Sequence, residues 1–422
     1  MFRVRFLVVT IDAPAVTGRL RTIPDVWRLL AFVGLLALVA VACSSGGGGT
    51  HARTSTTAGA PLASLGKPNP LGAKWDWNRL DKFKPYLASI SGGATFYDFA
   101  WCDVEPSEGK RNWSTVDNVA RGANSLGFEL YLKIRTGSCW ATVESGGGTG
   151  RRGRKDVSSM PADMAKYQAF LTDAVKRFSP LGVREYAIEN EVNAPMHWAG
   201  TSAEYTTLVA AAGRAIHAAD PNARIADGGL GSTVYGDVIA RRLLEQGHDS
   251  EAVSTYQQYY ARRFSVRAQQ LPQVSDPSQL RSVLGTGQAA RDLDYFDATI
   301  RLAQRKTIDD FEIHFYEKWN NIPSVLDLLH ASLPPDLPVQ VWELGQFWPN
   351  GPTDEAVHAD ELQRAVNGFL DGGVHRVIWL PLGYNPNGRN QSELRFGLVD
   401  PDGRVRASGR VFAQIAAAHA RA

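Results

Sequence analysis

Residues 185–229, EYAIENEVNAPMHWAGTSAEYTTLVAAAGRAIHAADPNARIADGG, decide the fold of this chain. The stretch begins with a short apolar run that closes on the acidic residues Glu189 and Glu191. A helical segment follows, which begins after the capping residue Thr201 and ends before Pro221. A second strand-like run, ARIADGG, closes the stretch. Strand, helix and strand in this order predict a βα unit of a parallel sheet.

The same alternation continues along most of the chain. Helical segments are predicted from Pro161 to Phe178 and from Asp354 to Leu370. Six further strand-like runs bring the total to eight: Leu71–Trp77, Gly93–Trp101, Phe128–Arg135, Asp310–Tyr316, Val339–Gly345 and Arg376–Gly383. Eight such units predict an α/β fold, a (β/α)8 barrel with a largely helical insertion, Gly231–Thr307, between strands 5 and 6. An open doubly wound sheet also alternates, but it usually carries a glycine-rich turn after its first strand, and this sequence has none.

Composition narrows the class of protein. Of the 422 residues, 44% are hydrophobic and 10% aromatic, which supports a substantial core. The formal net charge is +2, with acidic and basic residues mixed along the sequence. Without a polybasic face to neutralise phosphates, no nucleic-acid partner is expected.

The N-terminus has the pattern of an export signal. The apolar run Leu29–Ala42 follows several arginines, is too short to span a bilayer, and ends in AVAC at Cys43. This ending resembles a bacterial lipoprotein box, in which the cysteine is lipidated. We expect a signal peptide over residues 1–43, a flexible Gly/Ser/Thr tether over 44–65 and the (β/α)8 domain over 66–422. The protein would then be exported and lipid-anchored on the outer face of a bacterial cytoplasmic membrane; a secreted protein with an ordinary cleaved signal, or an uncleaved anchor, is the alternative.

The other two cysteines, Cys102 and Cys139, form an even pair in a chain that looks exported, which makes a disulfide plausible. Two separate thiols are the alternative. Two distant cysteines without a nearby pair of histidines lack the ligand spacing of a zinc site. Neither a metal nor an organic cofactor is expected.

Two carboxylates occupy the positions where a barrel collects its chemistry, the carboxyl ends of strands. Glu191 ends strand 4 and Glu343 ends strand 7. Glycoside cleavage needs such a pair, one to protonate the leaving oxygen and one to meet the positive charge that develops on the sugar carbon. The alternative for Glu191 is a structural ion pair with Lys133 or Arg135, which we otherwise expect to be charge partners behind the acids. Glu189, two residues before Glu191 on the same strand face, is expected to orient a neighbour rather than to react.

The motifs around these residues resemble those of clan A retaining glycoside hydrolases, nearest to families 39 and 5. The resemblance covers some 320 residues, from strand 2 to the C-terminus. Its segments are WCDVEPSEGKRNWSTVDNVARGANSLGFELYL after strand 2, IENEVNAPMHWAGTSAEYTTLV with the Asn-Glu pair, EIHFY, VQVWELG, and VIWLPL with the later RFGLVDPDG. Val192 departs from the pattern, since many relatives have proline after the Asn-Glu pair.

The resemblance implies a role for each matching residue. Glu191 would be the acid/base and Glu343 the nucleophile of a double displacement at a β-type glycosidic bond. Asn190 would bind the 2-hydroxyl of the sugar, Tyr316 would align Glu343, and His314 would line the same subsite. For Glu191 to begin protonated, we expect the nearby charge of Glu343 to raise its pKa.

Tryptophans are the natural platforms for sugar rings, and the sequence has eleven. The resemblance places Trp379 under the ring at the point of cleavage, and Trp101 and Trp348 lie on the same predicted rim. Trp342 precedes Glu343, should point away from it, and is assigned to the core. A non-hydrolytic carbohydrate-binding protein, or a transglycosidase that uses the same residues, is the alternative function.

Overall fold

Eight strands alternate with helices in the computed structural model, which describes residues 65–143, 157–264, 271–346, 354–383 and 396–421. All eight predicted runs contain one of these strands. The strands are β1 (Leu71–Ala73), β2 (Ala94–Ala100), β3 (Glu129–Arg135), β4 (Glu185–Ile188), β5 (Arg224–Ala226), β6 (Phe311–Phe315), β7 (Val339–Leu344) and β8 (Arg376–Trp379). The described residues belong to one structural unit, Ala60–Ala422.

The helices flank the strands in chain order. Those up to β5 are α1 (Leu80–Ala88), α2 (Trp101–Val104), α3 (Ser114–Ser125), α4 (Met164–Phe178) and α5 (Ser202–Ala219). Those between β5 and β6 are α6 (Thr233–Glu245), α7 (Asp249–Tyr259), α8 (Ala261–Phe264), α9 (Pro277–Leu284) and α10 (Gly287–Gln304). The last are α11 (Ile322–Ser332), α12 (Glu355–Asp371) and α13 (Ala407–His419), and short 3-10 helices span Trp77–Arg79, Ser179–Leu181 and Trp319–Asn321.

The strands form two parallel four-stranded sheets, in the orders β1-β8-β7-β6 and β2-β3-β4-β5. The sheets approach each other at both edges. At one edge a parallel bridge joins Ala226 of β5 to Asp310, next to β6. At the other, Gly72 of β1 packs so closely on β2 that a Cβ there would lie 1.8 Å from the carbonyl oxygen of Ala94. The chain is therefore α/β with parallel sheets, as the alternation predicts.

A small apolar layer lies apart from the main core. Its members come from strands of both sheets: Ala94, Phe96, Tyr131, Ala187, Ala226, Trp342 and Ile378. Trp342 is fully buried here and its indole N–H donates to Gln340, which agrees with its assignment to the core. Because side chains alternate along a strand, Lys133 and Arg135 follow Tyr131 on the same face of β3. Lys133 and Arg135 therefore lie next to this apolar layer, on its side toward the carboxyl ends of the strands.

Side chains cap the starts of α5 and α4, and the second of these caps corrects a predicted boundary. α5 has the predicted capping box between Thr201 and Glu204. α4 does not start at Pro161, because the side chain of Asp163 accepts hydrogen bonds from the backbone of Ala165 and Lys166 and so caps a helix that begins at Met164. A capped start satisfies amide groups that proline alone would leave unpaired.

The signal segment, Cys43 and the tether as far as residue 64 lie outside the described residues. In the part of the chain that is described, no helix combines the length and the apolar character that a membrane span requires.

Cys102 and Cys139 form a disulfide that joins α2, which follows β2, to the loop after β3. We expect the double substitution C102S/C139S to lower the free energy of unfolding by about 3 kcal/mol, because the bridge closes a 37-residue separation and restricts the unfolded chain. Urea denaturation of both proteins measures the difference. A change below about 1 kcal/mol would contradict the prediction; reduction of the wild-type protein with dithiothreitol is the matched control.

Candidate active site

The chain turns sharply as it leaves β4. Glu189 and Glu191 both have positive φ angles, 70° and 44°, which non-glycine residues adopt rarely. The two-residue strand period therefore ends at Ile188, and the expectation that both carboxylates leave the same strand face is wrong. Glu189 is fully buried and accepts a hydrogen bond of 2.7 Å from the backbone of Thr136 at the end of β3. Burial raises its pKa, and the contact with Thr136 links the end of β4 to the end of β3.

Glu191 is held between two imidazoles. Nδ1 of His314 donates to Oε1 at 3.0 Å, and Nε2 of His197 lies 3.3 Å from Oε2. Burial alone would raise the pKa of Glu191, but the hydrogen bonds from His197 and His314 outweigh it and lower the pKa. The expectation that the charge of Glu343 raises this pKa is therefore wrong, because the two imidazoles stabilise the carboxylate form.

Glu343 stands at the end of β7, where its side chain is 11% exposed. The hydroxyl of Tyr316 donates to Oε2 at 2.6 Å, as the resemblance implies. Oε1 lies 3.6 Å from His314 Nε2 and 3.8 Å from Lys133 Nζ. Carboxylate oxygens of Glu191 and Glu343 lie within 4.8 Å of each other. The structure thus brings together two residues that are about 150 positions apart in the sequence.

His314 occupies the centre of this group. It is fully buried, and besides Glu191 it contacts Glu312, with Nε2 2.8 Å from Oε1. Burial lowers its pKa, but the negative charge of Glu343 and the hydrogen bonds to Glu191 and Glu312 raise it, and the net result is about 9. His314 is therefore an imidazolium at neutral pH, and it stabilises the negative charge of three carboxylates at once.

Lys133 supports the group from below. Its ammonium is fully buried and lies 2.6 Å from Glu312 Oε1, 3.0 Å from Asn190 Oδ1 and 3.0 Å from His314 Nε2. Asn190 therefore has its carbonyl oxygen engaged by Lys133, which fixes the side chain that the resemblance assigns to the 2-hydroxyl of a sugar. Lys133 is a charge partner behind the acids, as expected from sequence.

Arg135, the last residue of β3, pairs with Asp98 of the neighbouring strand β2 and not with the two acids. Its guanidinium is 3.6 Å from Asp98, which also accepts a hydrogen bond of 3.3 Å from Lys74 at the end of β1. The charges of Lys74, Arg135 and Lys133 lower the pKa of Asp98 to about 2, against the opposing effect of burial. None of these groups pairs with Glu191, so the structural ion pair weighed for that residue is not formed.

Glu191, His314 and Glu343 are also the one group of described residues whose side-chain atoms are close enough to hold a metal ion. The buried ammonium of Lys133, 3.0 Å from His314 and 3.8 Å from Glu343, already supplies positive charge at this position. A divalent cation at this position would be repelled by that ammonium. The donor set does not fit a metal centre.

The predicted tryptophan platforms need correction. Trp379 is fully buried; its indole N–H donates to the carbonyl of Phe396, and the ring packs against His358 and Phe412. Trp101 is 1% exposed and donates to Glu105. Neither presents a face to a sugar in this structure, because large indoles at these strand ends fill the core. Trp348 lies outside the described residues.

Helix α10 holds the loop that carries Glu191. The guanidinium of Arg291 donates to the backbone carbonyls of Val192, Asn193 and Trp198, and Asp292 accepts from the side chain of Asn193. These hydrogen bonds hold the backbone around Val192 in place, a restraint that a proline at position 192 would otherwise provide. Residues almost 100 positions later in the chain therefore fix the path of the acidic loop.

Three contributors to the site were not foreseen: His197, Glu312 and Arg291. His197 stands six residues after Glu191, but only the turn after β4 brings its ring back to that carboxylate. Glu312 precedes His314 by two residues on β6, so the strand period could have indicated it. Arg291 depends on tertiary contacts between separate elements, for which the sequence carries no local signal.

The charge of His314 predicts how stability depends on pH. Because its pKa is raised from 6.5 to about 9 in the folded protein, its contribution is complete below pH 6.5 and is lost as the pH rises through 9. We expect the free energy of unfolding to fall by a few kcal/mol between pH 6.5 and pH 9.5. Urea denaturation across this range tests it. A constant stability would contradict the prediction, and H217Q, at a partly exposed histidine paired with Asp309, should keep the wild-type dependence.

Comparison with known proteins gives structural relatives only. A scan against protein-family models and a search of curated proteins returned no match. Among solved structures, the chain resembles a family 39 glycoside hydrolase from the gut symbiont Bacteroides cellulosilyticus WH2, with a TM-score of 0.57 and 15% identity over 84% of this chain and 65% of that one.

Two further similar structures have comparable scores. An exo-β-1,4-mannosidase from Opitutaceae bacterium strain TAV5 has a TM-score of 0.51 at 16% identity, over 85% of this chain and 61% of that one. A GH5_18 protein from Bifidobacterium longum subsp. infantis has a TM-score of 0.51 at 13% identity, over 84% and 80%. The chain thus spans less than two thirds of the first two proteins. The resemblance to families 39 and 5 is confirmed at the level of the fold.

Proposed function

We propose that this protein is a retaining glycoside hydrolase that cleaves a β-type O-glycosidic bond in an oligosaccharide or polysaccharide. The observation that carries the proposal is the proximity of Glu191 and Glu343, whose oxygens approach within 4.8 Å. Retaining enzymes place their two carboxyl groups about 5 to 5.5 Å apart, whereas inverting enzymes leave about 6.5 to 9.5 Å for a water molecule. The similarity to glycoside hydrolase structures supports the same class of reaction.

Glu343 is the nucleophile in this proposal. Tyr316 occupies Oε2, so that Oε1, which lies beyond hydrogen-bond distance of His314 and Lys133, is the atom that attacks the sugar carbon. The bond to the leaving oxygen breaks as the ester bond to Oε1 forms. Lys133 Nζ and His314 Nε2 lie 3.8 Å and 3.6 Å from Oε1, so positive charge faces the attacking oxygen.

Glu191 is the acid/base. Its side chain is 21% exposed, so one side of the carboxylate is open to a leaving group or to water. It delivers a proton to the departing oxygen in the first step, and it accepts one from the attacking water in the second. Asn190, fixed by Lys133, is the proposed partner of the 2-hydroxyl.

We further propose that the two sheets form one (β/α)8 barrel, whose interior is the apolar layer around Trp342, and that helices α6–α10 are an insertion between strands 5 and 6. The close approaches at Gly72 and Ala226 support this arrangement.

Export is also part of the proposal. The Cys102–Cys139 disulfide suits an oxidising compartment outside the cytoplasm. Together with the signal pattern that ends at Cys43, it supports lipid anchoring on the outer face of a bacterial cytoplasmic membrane.

The function is tested with the purified full-length protein and β-linked xylan, mannan and glucan together with the corresponding 4-nitrophenyl β-glycosides. Products are identified by mass spectrometry, and the anomer released first is identified by proton NMR. We expect a β-anomeric product from the wild type, and at least a thousandfold slower release from E191Q on the polysaccharides, about 4 kcal/mol of barrier. E129Q, at an exposed end of β3, is the matched control.

An α-anomeric first product would overturn the retaining mechanism. Retention of the wild type, E191Q and E343Q alike on one polysaccharide, with no product from any of them, would favour the carbohydrate-binding alternative.

A further inference from the structure

The two histidines that hold Glu191 differ in their access to solvent. His314 is fully buried, whereas the side chain of His197 is 26% exposed. The carboxylate oxygens are divided between them, Oε1 to His314 and Oε2 to His197. Because Glu191 is a carboxylate at rest, the proton that it gives to a leaving group must first reach it through one of these two contacts or through the open side of the carboxylate.

His314 is unsuited to that exchange. Its second nitrogen faces Glu312 and lies near Lys133 and Glu343, so the ring is enclosed by charged groups from β3, β6 and β7. The carboxylates around it raise its pKa to about 9, and a proton bound so firmly stays in place through the reaction. His314 therefore acts as a fixed positive charge beside Glu191.

The ring of His197 is attached to a rigid stretch of backbone. The backbone N–H of His197 donates to the carbonyl of Ala194, and its backbone carbonyl accepts from the N–H of Ser158. The carbonyl of the next residue, Trp198, accepts from the guanidinium of Arg291. The imidazole is thus held beside Glu191 from both sides of the loop while part of it remains exposed.

We propose that His197 is a positioning residue that holds the reacting proton and passes it to and from Glu191, an inference that rests on the glycoside hydrolase function proposed above. This role explains how Glu191, a carboxylate at rest, can act as an acid. The imidazole of His197 holds the proton and transfers it to Glu191 as the leaving group departs.

The proton balance closes over the two steps. In the first, the proton on Nε2 of His197 moves to Glu191 as Glu191 protonates the leaving oxygen, the glycosidic bond breaks, and Glu343 forms its ester with the sugar. In the second, water attacks the sugar carbon, its proton passes through Glu191 to Nε2, and the ester bond to Glu343 breaks. His197 ends protonated, as it began.

Substrates whose leaving groups differ in their need for a proton distinguish a proton-transfer role of His197 from a structural one. For H197Q, whose amide can donate a hydrogen bond but cannot store a proton, we expect kcat/KM to fall about 100-fold on oligosaccharides with a sugar leaving group. On 2,4-dinitrophenyl glycosides, whose leaving group needs no proton, the change should stay below about 3-fold. The control is H217Q, at a partly exposed histidine that also pairs with a carboxylate, Asp309.

The pH profile is the second readout. His197 faces Glu191, behind which lie His314, Glu312, Lys133 and Glu343. In H197Q the proton must reside on Glu191 alone, so the alkaline limb of kcat/KM should move toward lower pH by at least one unit. An equal loss on all substrates with an unchanged pH profile would mean a structural role and would overturn the inference.

The contact itself can be tested without any substrate. In 15N-histidine-labelled protein we expect a downfield, hydrogen-bonded imidazole N–H signal that disappears in both H197Q and E191Q. A His197 signal unchanged by E191Q would overturn the inference. If the wild type is active and H197Q has the same kinetics, the role of His197 is overturned and the glycoside hydrolase function is not. If the wild type cleaves none of the glycosides, both proposals are overturned.

Discussion

Substitution of Glu343 by alanine is expected to lower kcat/KM by at least a thousandfold on every β-glycoside that the wild type cleaves. The side chain supplies the only carboxylate oxygen that is placed, in this proposal, to form the sugar ester, so its loss removes the covalent step. Unlike a change at His197, this loss should not depend on the leaving group. A thousandfold decrease corresponds to about 4 kcal/mol of barrier.

Added azide provides the decisive measurement for E343A. A small anion can enter the space that the carboxylate leaves and attack from the same side, which would give an α-glycosyl azide and restore turnover of an activated 2,4-dinitrophenyl glycoside. Product analysis by NMR identifies the anomer. Residual activity above one tenth of the wild type would contradict the assignment of Glu343, and circular dichroism of E343A controls for loss of fold.

Substitution of Lys133 by methionine is expected to have the largest effect on stability. The ammonium is fully buried between Glu312 at 2.6 Å and Glu343 at 3.8 Å. Removal of one partner of a buried ion pair leaves an uncompensated charge and costs about 3 to 5 kcal/mol. Urea denaturation of K133M should show a loss of this size.

Two variants make the Lys133 experiment specific. K133M/E312Q removes the second charge of the pair, and we expect it to recover part of the lost stability, which a double-mutant cycle would measure. K84M breaks an exposed pair with Asp81 and should change the free energy of unfolding by less than about 1 kcal/mol. Equal losses in K133M and K84M would show that burial of the pair is unimportant.

The positions of the strands could be predicted because each is a short apolar run with clear boundaries. The ends were predicted less well. The run Ala223–Gly229 forms a strand only over Arg224–Ala226, since Gly229 has a positive φ of 67° and Asp227 accepts the backbone N–H of Glu312. Turn chemistry at the strand ends therefore overrides the apolar pattern that marks the strand.

The candidate site was predictable in its two carboxylates but not in its electrostatics. Glu191 and Glu343 stand at recognisable strand ends, and the proximity of their side chains follows from parallel strands. The protonation of Glu191 depends instead on His197 and His314, which the fold brings to it from different elements. Trp379 illustrates the same limit, because a sequence marks an aromatic residue at a strand end without indicating which way its ring turns.

The contacts between α10 and the acidic loop restrict how this protein can be re-engineered. Arg291 and Asp292 belong to the segment between β5 and β6, yet they hold the backbone on which Glu191 and His197 sit. Chimeras that exchange this segment in order to alter specificity would therefore remove the support of the acid loop together with the old specificity. A grafted segment must carry an arginine and an aspartate at these two positions. Without them Glu191 would be displaced, and activity on any new substrate would be lowered for a reason unrelated to specificity.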